Sequence, residues 1–317
     1  MLPLRTTNAQ NIGARPYQED CFAIIEADSL APPGQRCLMA VIADGMGGLA
    51  HGDAAARRAV QVFVESFGAR KTGARIEQCL QDALLAANAA VAREAESRKL
   101  PGQMGTTLIA IAIREDRLYW VSTGDSGLYR VHAGHIERLN QAHVFGAFLD
   151  EQVRQGEISE ELARGNPHRE ALTSYVGMSR EPEIDSPPEP ITLDDGDLVL
   201  LATDGLFKTL SIAEMSVALT EPGDPAESLV QKALGAGLPQ QDNVTVVAVL
   251  CGSAQTGPAL ALNLQEETAE MHKPELPPVA APPPEPAPQP ATGLSRWLIV
   301  AVLAVALGWA LFVYAAR

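Results

Sequence analysis

The sequence predicts an α+β domain, and three observations carry that prediction. Short apolar runs of strand length share the chain with longer amphipathic stretches, two helix-length stretches follow one another directly, and acidic residues recur where the apolar runs start or stop. The first run is CFAII at 21–25, opened by Glu19 and Asp20, and CLMAVIA at 37–43 ends on Asp44 and Gly45. Asp53 to Phe67 and Ile76 to Arg98 are the consecutive helix candidates. Paired short strands then fill Thr106 to Arg138, including TTLIAIAI at 106–113 and RLYWVST at 117–123. DLVLLAT at 197–203 ends on Asp204, and NVTVVAVL at 243–250 begins just after Asp242. Strict βαβ alternation would separate the helices by strands, so this order favours α+β.

Length and composition bound the rest. With 317 residues, 46% hydrophobic and 20% charged, the chain can build one large domain or two small ones around a buried core. Its four cysteines, Cys21, Cys37, Cys79 and Cys251, are scattered without a CxxC pair, which reads as reduced packing cysteines in a reducing cytoplasm. MLPLRTTNAQ carries no apolar stretch after its arginine, so no cleaved secretory signal is expected. The formal net charge is −15; the stretch from Gly252 onward holds five acidic and three basic residues, which leaves −13 for the main domain. Such a surface repels phosphate backbones, so nucleic acid is excluded as a partner, and it repels anionic lipid headgroups as well.

Membrane attachment is expected from the end of the chain instead. Trp297 to Ala316 is a run of twenty residues without a charge, long enough as a helix to cross roughly 30 Å of hydrocarbon. Trp297, Trp309 and Tyr314 lie near its ends and Arg296 and Arg317 flank it. Before it, Pro274 to Pro290 holds nine prolines in seventeen residues, which favours an extended polyproline stalk, with a docking site for proline-recognising domains as the alternative. The organisation expected is a main domain at 1–252, a Pro-rich linker at 253–296 and a transmembrane helix at 297–316. That places the chain in the inner membrane, single-pass, with its domain facing the cytoplasm.

The acidic residues carry the chemistry. Asp44, Asp125 and Asp204 each end an apolar run, whereas Glu19, Asp20 and Asp242 each precede one. In an antiparallel sheet the starts and ends of alternate strands meet at one edge, so six carboxylates could converge. Unpaired, they would repel strongly unless divalent cations neutralised them. With no histidine or cysteine ligand set in view, magnesium or manganese suits them better than zinc. Gly45, Gly47 and Gly48 add backbone freedom beside Asp44, which would let a carbonyl approach an ion closely.

In these residues the sequence resembles the PPM-type metal-dependent protein phosphatases in their bacterial form. The resemblance runs over about residues 5–250, through ARPYQED with Arg15, Glu19 and Asp20, ADGMGG, GTT at 105–107, GDS at 124–126, LLATDGL at 200–206 and QDNVTVV at 241–247, in family order. It implies a central sandwich of two antiparallel β-sheets flanked by α-helices, with a binuclear metal centre at one edge. By similarity Asp44 bridges both ions, Asp204 and Asp242 complete the first site, and the Gly45 carbonyl completes the second with Glu19 or Asp20, partly through water. Asp125 resembles the ligand of a weaker third ion, and Arg15 would hold the substrate phosphate with its guanidinium fork. The mechanism expected is in-line attack on phosphorus by a hydroxide bridging two manganese or magnesium ions.

The function this implies is hydrolysis of phosphoserine and phosphothreonine in protein substrates, opposing a bacterial Ser/Thr kinase on its targets. A membrane-anchored scaffold that binds phosphoproteins with little turnover is the alternative. The chain departs from the family at Met46 and Leu49, where many relatives carry a histidine, at Gly127, where arginine is usual, and at Ala142, where aspartate is common. His51 reads as an exposed helix-start residue. Gln141 to Pro182, with a GNP turn at 165–167, corresponds to the family's variable flap.

Overall fold

The computed structural model describes residues 2–27, 37–46, 51–70 and 73–252. Among them, ten strands form two five-stranded sheets. The first comprises β1 (Leu4–Asn11), β10 (Val244–Cys251), β9 (Leu198–Ala202), β6 (Gly127–His132) and β7 (His135–Arg138), in that order. The second comprises β2 (Asp20–Ala27), β3 (Cys37–Asp44), β4 (Leu108–Arg114), β5 (Arg117–Thr123) and β8 (Ile191–Thr192). Every strand pair is antiparallel.

Both faces of each sheet are buried, which is why the central strands read as unbroken apolar runs rather than alternating ones. In β3, Leu38, Ala40 and Ile42 point between the sheets, where they meet Ile109, Ile111, Val199, Leu201, Val247 and Val249. Met39, Val41 and Ala43 point the other way, against Phe63 and Phe67 of α1 (Gly52–Gly68) and Leu80 and Leu84 of α2 (Ile76–Ser97). On the first sheet Leu200, Ala202, Val246 and Ala248 pack under Met215 of α6 (Ile212–Thr220) and Leu229 and Val230 of α7 (Pro225–Gly235). The result is helix, sheet, sheet, helix. Local chemistry sets the later helix starts: Ser211 and Glu214 form a reciprocal capping box on α6, and Asp224 accepts from the amides of Ala226 and Glu227 with Pro225 in the first turn of α7.

The sandwich and both long helices follow the sequence-based expectation, with ends displaced by a residue. The unexpected element is β1, which pairs with β10 from Leu4↔Cys251 to Asn11↔Val244. Its sequence, LRTTNAQN, lacks an apolar run because an edge strand with one partly exposed face needs none. The flap carries two short helices, α3 (Phe145–Arg154) and α4 (Glu160–Arg164), and α5 (Asp204–Phe207) is a single turn after β9. His51 is exposed and starts α1 in the left-handed region at φ 65. No helix among the described residues is long and apolar enough to cross a membrane. The expected linker at 253–296 and span at 297–316 lie outside the described residues, as do Gly47, Gly48 and Leu49.

Candidate metal centre

Strand register brings the predicted acids to one edge. Asp20 opens β2 directly opposite Asp44, which closes β3. At the matching end of the other sheet, Ala202 of β9 pairs with Val246 of β10 and with Gly127 of β6, so Asp204, Asp242 and Asp125 lie at the strand ends there. The backbone of Asp44 is pinned by the two threonines of GTT. Its N–H donates to Thr107 Oγ1 at 3.0 Å, and its carbonyl accepts from the Thr106 hydroxyl at 2.8 Å and from the Thr107 amide at 2.9 Å.

The acids act on one another. Burial pushes the Asp44 carboxyl well above the ordinary carboxylate range, and the charges of Asp20, Asp204, Asp125 and Asp242 push it further. Asp20 is raised to about 7, by burial first, although hydrogen bonds from Thr245 and Thr203 oppose the shift. Asp125 is raised to about 6, by burial and then by Asp204. Burial also raises Glu19, against the opposing charge of Arg15. Carboxylates in this condition favour either protons or cations.

Two observations test whether the residues suit a metal. Asp20 is only 7% exposed, and its Oδ2 accepts from the hydroxyls of Thr203 at 3.0 Å and Thr245 at 2.6 Å. Its Oδ1 is buried with no hydrogen-bond partner among the described residues, a costly state for a carboxylate oxygen unless a cation meets it. Gly45 is held by its amide on the Glu19 carbonyl at 3.1 Å, and a Cβ there would stand 2.3 Å from the Gly52 carbonyl oxygen. Only glycine keeps its backbone this close. The donor set is all hard oxygen and fits magnesium or manganese.

Arg15 stands at the rim, where its Nη2 donates to Asp242 Oδ2 at 2.7 Å. Its loop is clamped by Asn243, which accepts from the Glu19 amide at 2.7 Å and donates to the carbonyls of Ile12 at 2.8 Å and Tyr17 at 3.1 Å. All eight residues expected from the sequence therefore gather at one sandwich edge.

Several neighbours escape a reading of the sequence. Thr203 and Thr245 orient Asp20, Asn243 fixes the Arg15 loop, and Lys208 places its ammonium 2.5 Å from Asp204 Oδ2 and 3.7 Å from Asp125 Oδ2. Of these, Lys208 has a readable signal, its four-residue helical spacing from Asp204. The departure at Gly127 has a packing reason, since a Cβ there would lie 2.5 Å from the Tyr129 ring. Arg138 of β7 brings a guanidinium to that corner, donating to the carbonyls of Asp125 at 2.7 Å and Ser126 at 3.2 Å and stacking over Phe207 at 5.1 Å. Beside Ala142, His143 accepts from the Gly124 amide through Nδ1 at 3.2 Å and so steadies the GDS turn.

A separate trio, His132, Asp194 and Asp197, has ligand atoms within 4.8 Å of one another at the opposite end of β9. There Arg130 meets Asp197 Oδ2 at 2.5 and 2.9 Å, so this is an ion-pair network.

A two-sheet sandwich with a hard-oxygen carboxylate centre between strand ends and an arginine at its rim defines a metal-dependent phosphohydrolase. The family model for protein phosphatase 2C matches residues 23–238. A serine/threonine phosphatase of Listeria innocua is 29% identical over 249 residues, 77% of this chain and 94% of that protein. Among solved structures, the S. agalactiae serine/threonine phosphatase aligns with a TM-score of 0.66 and 25% identity, over 78% of this chain and 99% of that one. The catalytic domain of PstP, solved with two manganese ions, aligns with a TM-score of 0.61 and 29% identity, over 80% and 100%. The chain belongs to the protein phosphatase 2C family, and it is a metal-dependent protein phosphatase.

Proposed function

We propose that the chain removes phosphate from phosphoserine and phosphothreonine in proteins, opposing a bacterial Ser/Thr kinase on its targets, with its catalytic domain tethered to the cytoplasmic face of the inner membrane. The buried Oδ1 of Asp20, without a hydrogen-bond partner among the described residues and beside the mutually repelling Asp44, is the observation that carries the metal-dependent chemistry. Asp44 would be shared by two ions, Asp204 and Asp242 would hold the first, and the Gly45 carbonyl with Glu19 or Asp20 would hold the second. Bound there, divalent ions supply Lewis acidity and a water of lowered pKa.

The protein's own groups do the rest. Thr203 and Thr245 fix Asp20 so that one oxygen stays available as a donor. Arg15 offers paired N–H donors to phosphate oxygens, and its bond to Asp242 keeps the fork at the mouth of the centre. The names of the Listeria and PstP relatives support the Ser/Thr preference. The uncharged run at 297–316 behind a proline-rich linker supports the tether.

The test is phosphate release from phosphothreonine and phosphotyrosine peptides by the full chain, with manganese, with magnesium and with chelator, beside Asp44→Ala. Manganese- or magnesium-dependent turnover of phosphothreonine that chelation or Asp44→Ala abolishes is the expected result. A folded protein with no turnover in either metal would overturn it in favour of a phosphoprotein-binding scaffold. Fractionation of cells carrying the full chain or residues 1–252 tests the tether, which fails if both forms are equally soluble.

A further inference from the structure

We propose that Lys208 is a built-in cation between Asp204 and Asp125, so that this flank of the centre is neutralised by an ammonium and takes no third divalent ion. The proposal rests on the carboxylate edge being the metal centre. Lys208 follows α5 directly, four residues after Asp204, so its side chain folds back along the single helical turn onto the acid that starts it. Its Nζ lies 2.5 Å from Asp204 Oδ2 and 3.7 Å from Asp125 Oδ2, one positive charge shared by two acids from different strand ends.

The turn that carries Lys208 is tied down. Its amide donates to the Asp204 carbonyl at 2.8 Å, the Thr209 hydroxyl donates to the carbonyl of Gly205 at 2.8 Å and to Gln241 Oε1 at 3.0 Å, and Gln241 Nε2 donates back to the Gly205 carbonyl at 3.1 Å. The ammonium is thereby anchored to the same loop that carries Asp242. Glu170 of the flap adds a third negative charge acting on Lys208. A divalent ion on the oxygens of Asp125 and Asp204 that face Lys208 would meet carboxylate charge already neutralised by the ammonium and would sit within a few ångströms of that fixed positive charge, so its binding is strongly disfavoured. The resemblance assigns Asp125 to a weaker third ion; in this chain the lysine takes that ion's place as counter-charge. Among the described residues Lys208 makes no ion pair with Asp44, Asp242, Glu19 or Asp20, and it meets Asp204 through Oδ2, which leaves Oδ1 of Asp204 with those acids for the two principal ions.

Calorimetric manganese titration of the full chain tests this, with Mn2+ electron paramagnetic resonance as a second count of bound ions. Wild type should bind two ions per chain and Lys208→Gln three, the added one about tenfold or more weaker than the others. Lys208→Arg, which keeps the charge, should stay at two, and Asp125→Asn in the Lys208→Gln background should return the count to two. Lys208→Met repeats the test if the glutamine variant does not fold. Three ions in wild type, or two in both neutral variants, would overturn the proposal and leave the metal centre standing. No manganese bound by any folded form would remove the metal centre and the proposal together.

Discussion

Replacing Asp20 by asparagine should stabilise the metal-free protein and weaken it as a metal binder. Asparagine can accept both threonine hydroxyls through its carbonyl oxygen as Asp20 Oδ2 now does, while the negative charge that raises Asp44 is gone. The carboxyl of Asp20 moves from 3.8 to about 7 on folding. At about 1.4 kcal/mol per pKa unit, a shift of about three units sets an upper bound near 4 kcal/mol on the cost of ionising it in the metal-free fold. Because the amide must still be desolvated, a gain of about half that, ~2 kcal/mol, is expected, or ~4–8 °C in melting temperature for a domain of this size. The sign follows from linkage: a carboxyl whose folded pKa is raised gives stability that is full below 3.8 and is lost as pH rises through about 7. The advantage of the variant should therefore be present at pH 8 and vanish near pH 4, where wild type carries the proton itself. Manganese affinity should fall ~10- to 100-fold. Thermal melts in chelator at the two pH values, with manganese titration at pH 8, read both arms. A variant that melts below wild type at pH 8 and binds manganese equally well would refute the idea that this carboxylate is held in the fold for a cation.

Three other expectations follow from the same geometry. Because the Asp20 carboxyl is raised to about 7, manganese must displace its proton at pH 6, so the apparent affinity should drop ~10-fold between pH 8 and pH 6, with proton release seen as a dependence of calorimetric heat on buffer ionisation enthalpy. Gly45→Ala would push a methyl to 2.3 Å from the Gly52 carbonyl and 2.7 Å from that of Glu19; a loss of ~1–3 kcal/mol by urea unfolding and a collapse of manganese binding are expected, and unchanged binding would count against the Gly45 carbonyl as a donor. Ile111→Ala, fully buried between the sheets, should cost ~2–5 kcal/mol by urea unfolding while manganese affinity of the folded fraction stays the same.

Much of this centre is legible in the sequence itself, for a reason particular to its strands. Asp44 and Asp204 each follow a fully apolar run of strand length, and within the second sheet antiparallel pairing sets the end of β3 against the start of β2, as the register Asp20↔Asp44 shows; β9 belongs to the other sheet, so the packing of the two sheets is what brings Asp204 to the same edge. Residues that act through partners distant in sequence are not readable in this way. Thr245 matters because its hydroxyl reaches Asp20, 225 positions away, and nothing in TVVAVL marks it as more than a strand residue. Arg138 takes over a corner where the family pattern is depleted at Gly127, because the Tyr129 ring fills the space and β7 runs alongside. Lys208 falls between these cases. Its spacing from Asp204 is local and visible, yet its meaning depends on Asp125, which reaches it only because β6 pairs with β9 and so brings the GDS turn beside the start of α5. The acids are legible because each is fixed by its own strand. The cation between two of them is not, because the pairing of β6 with β9 decides which acids become neighbours.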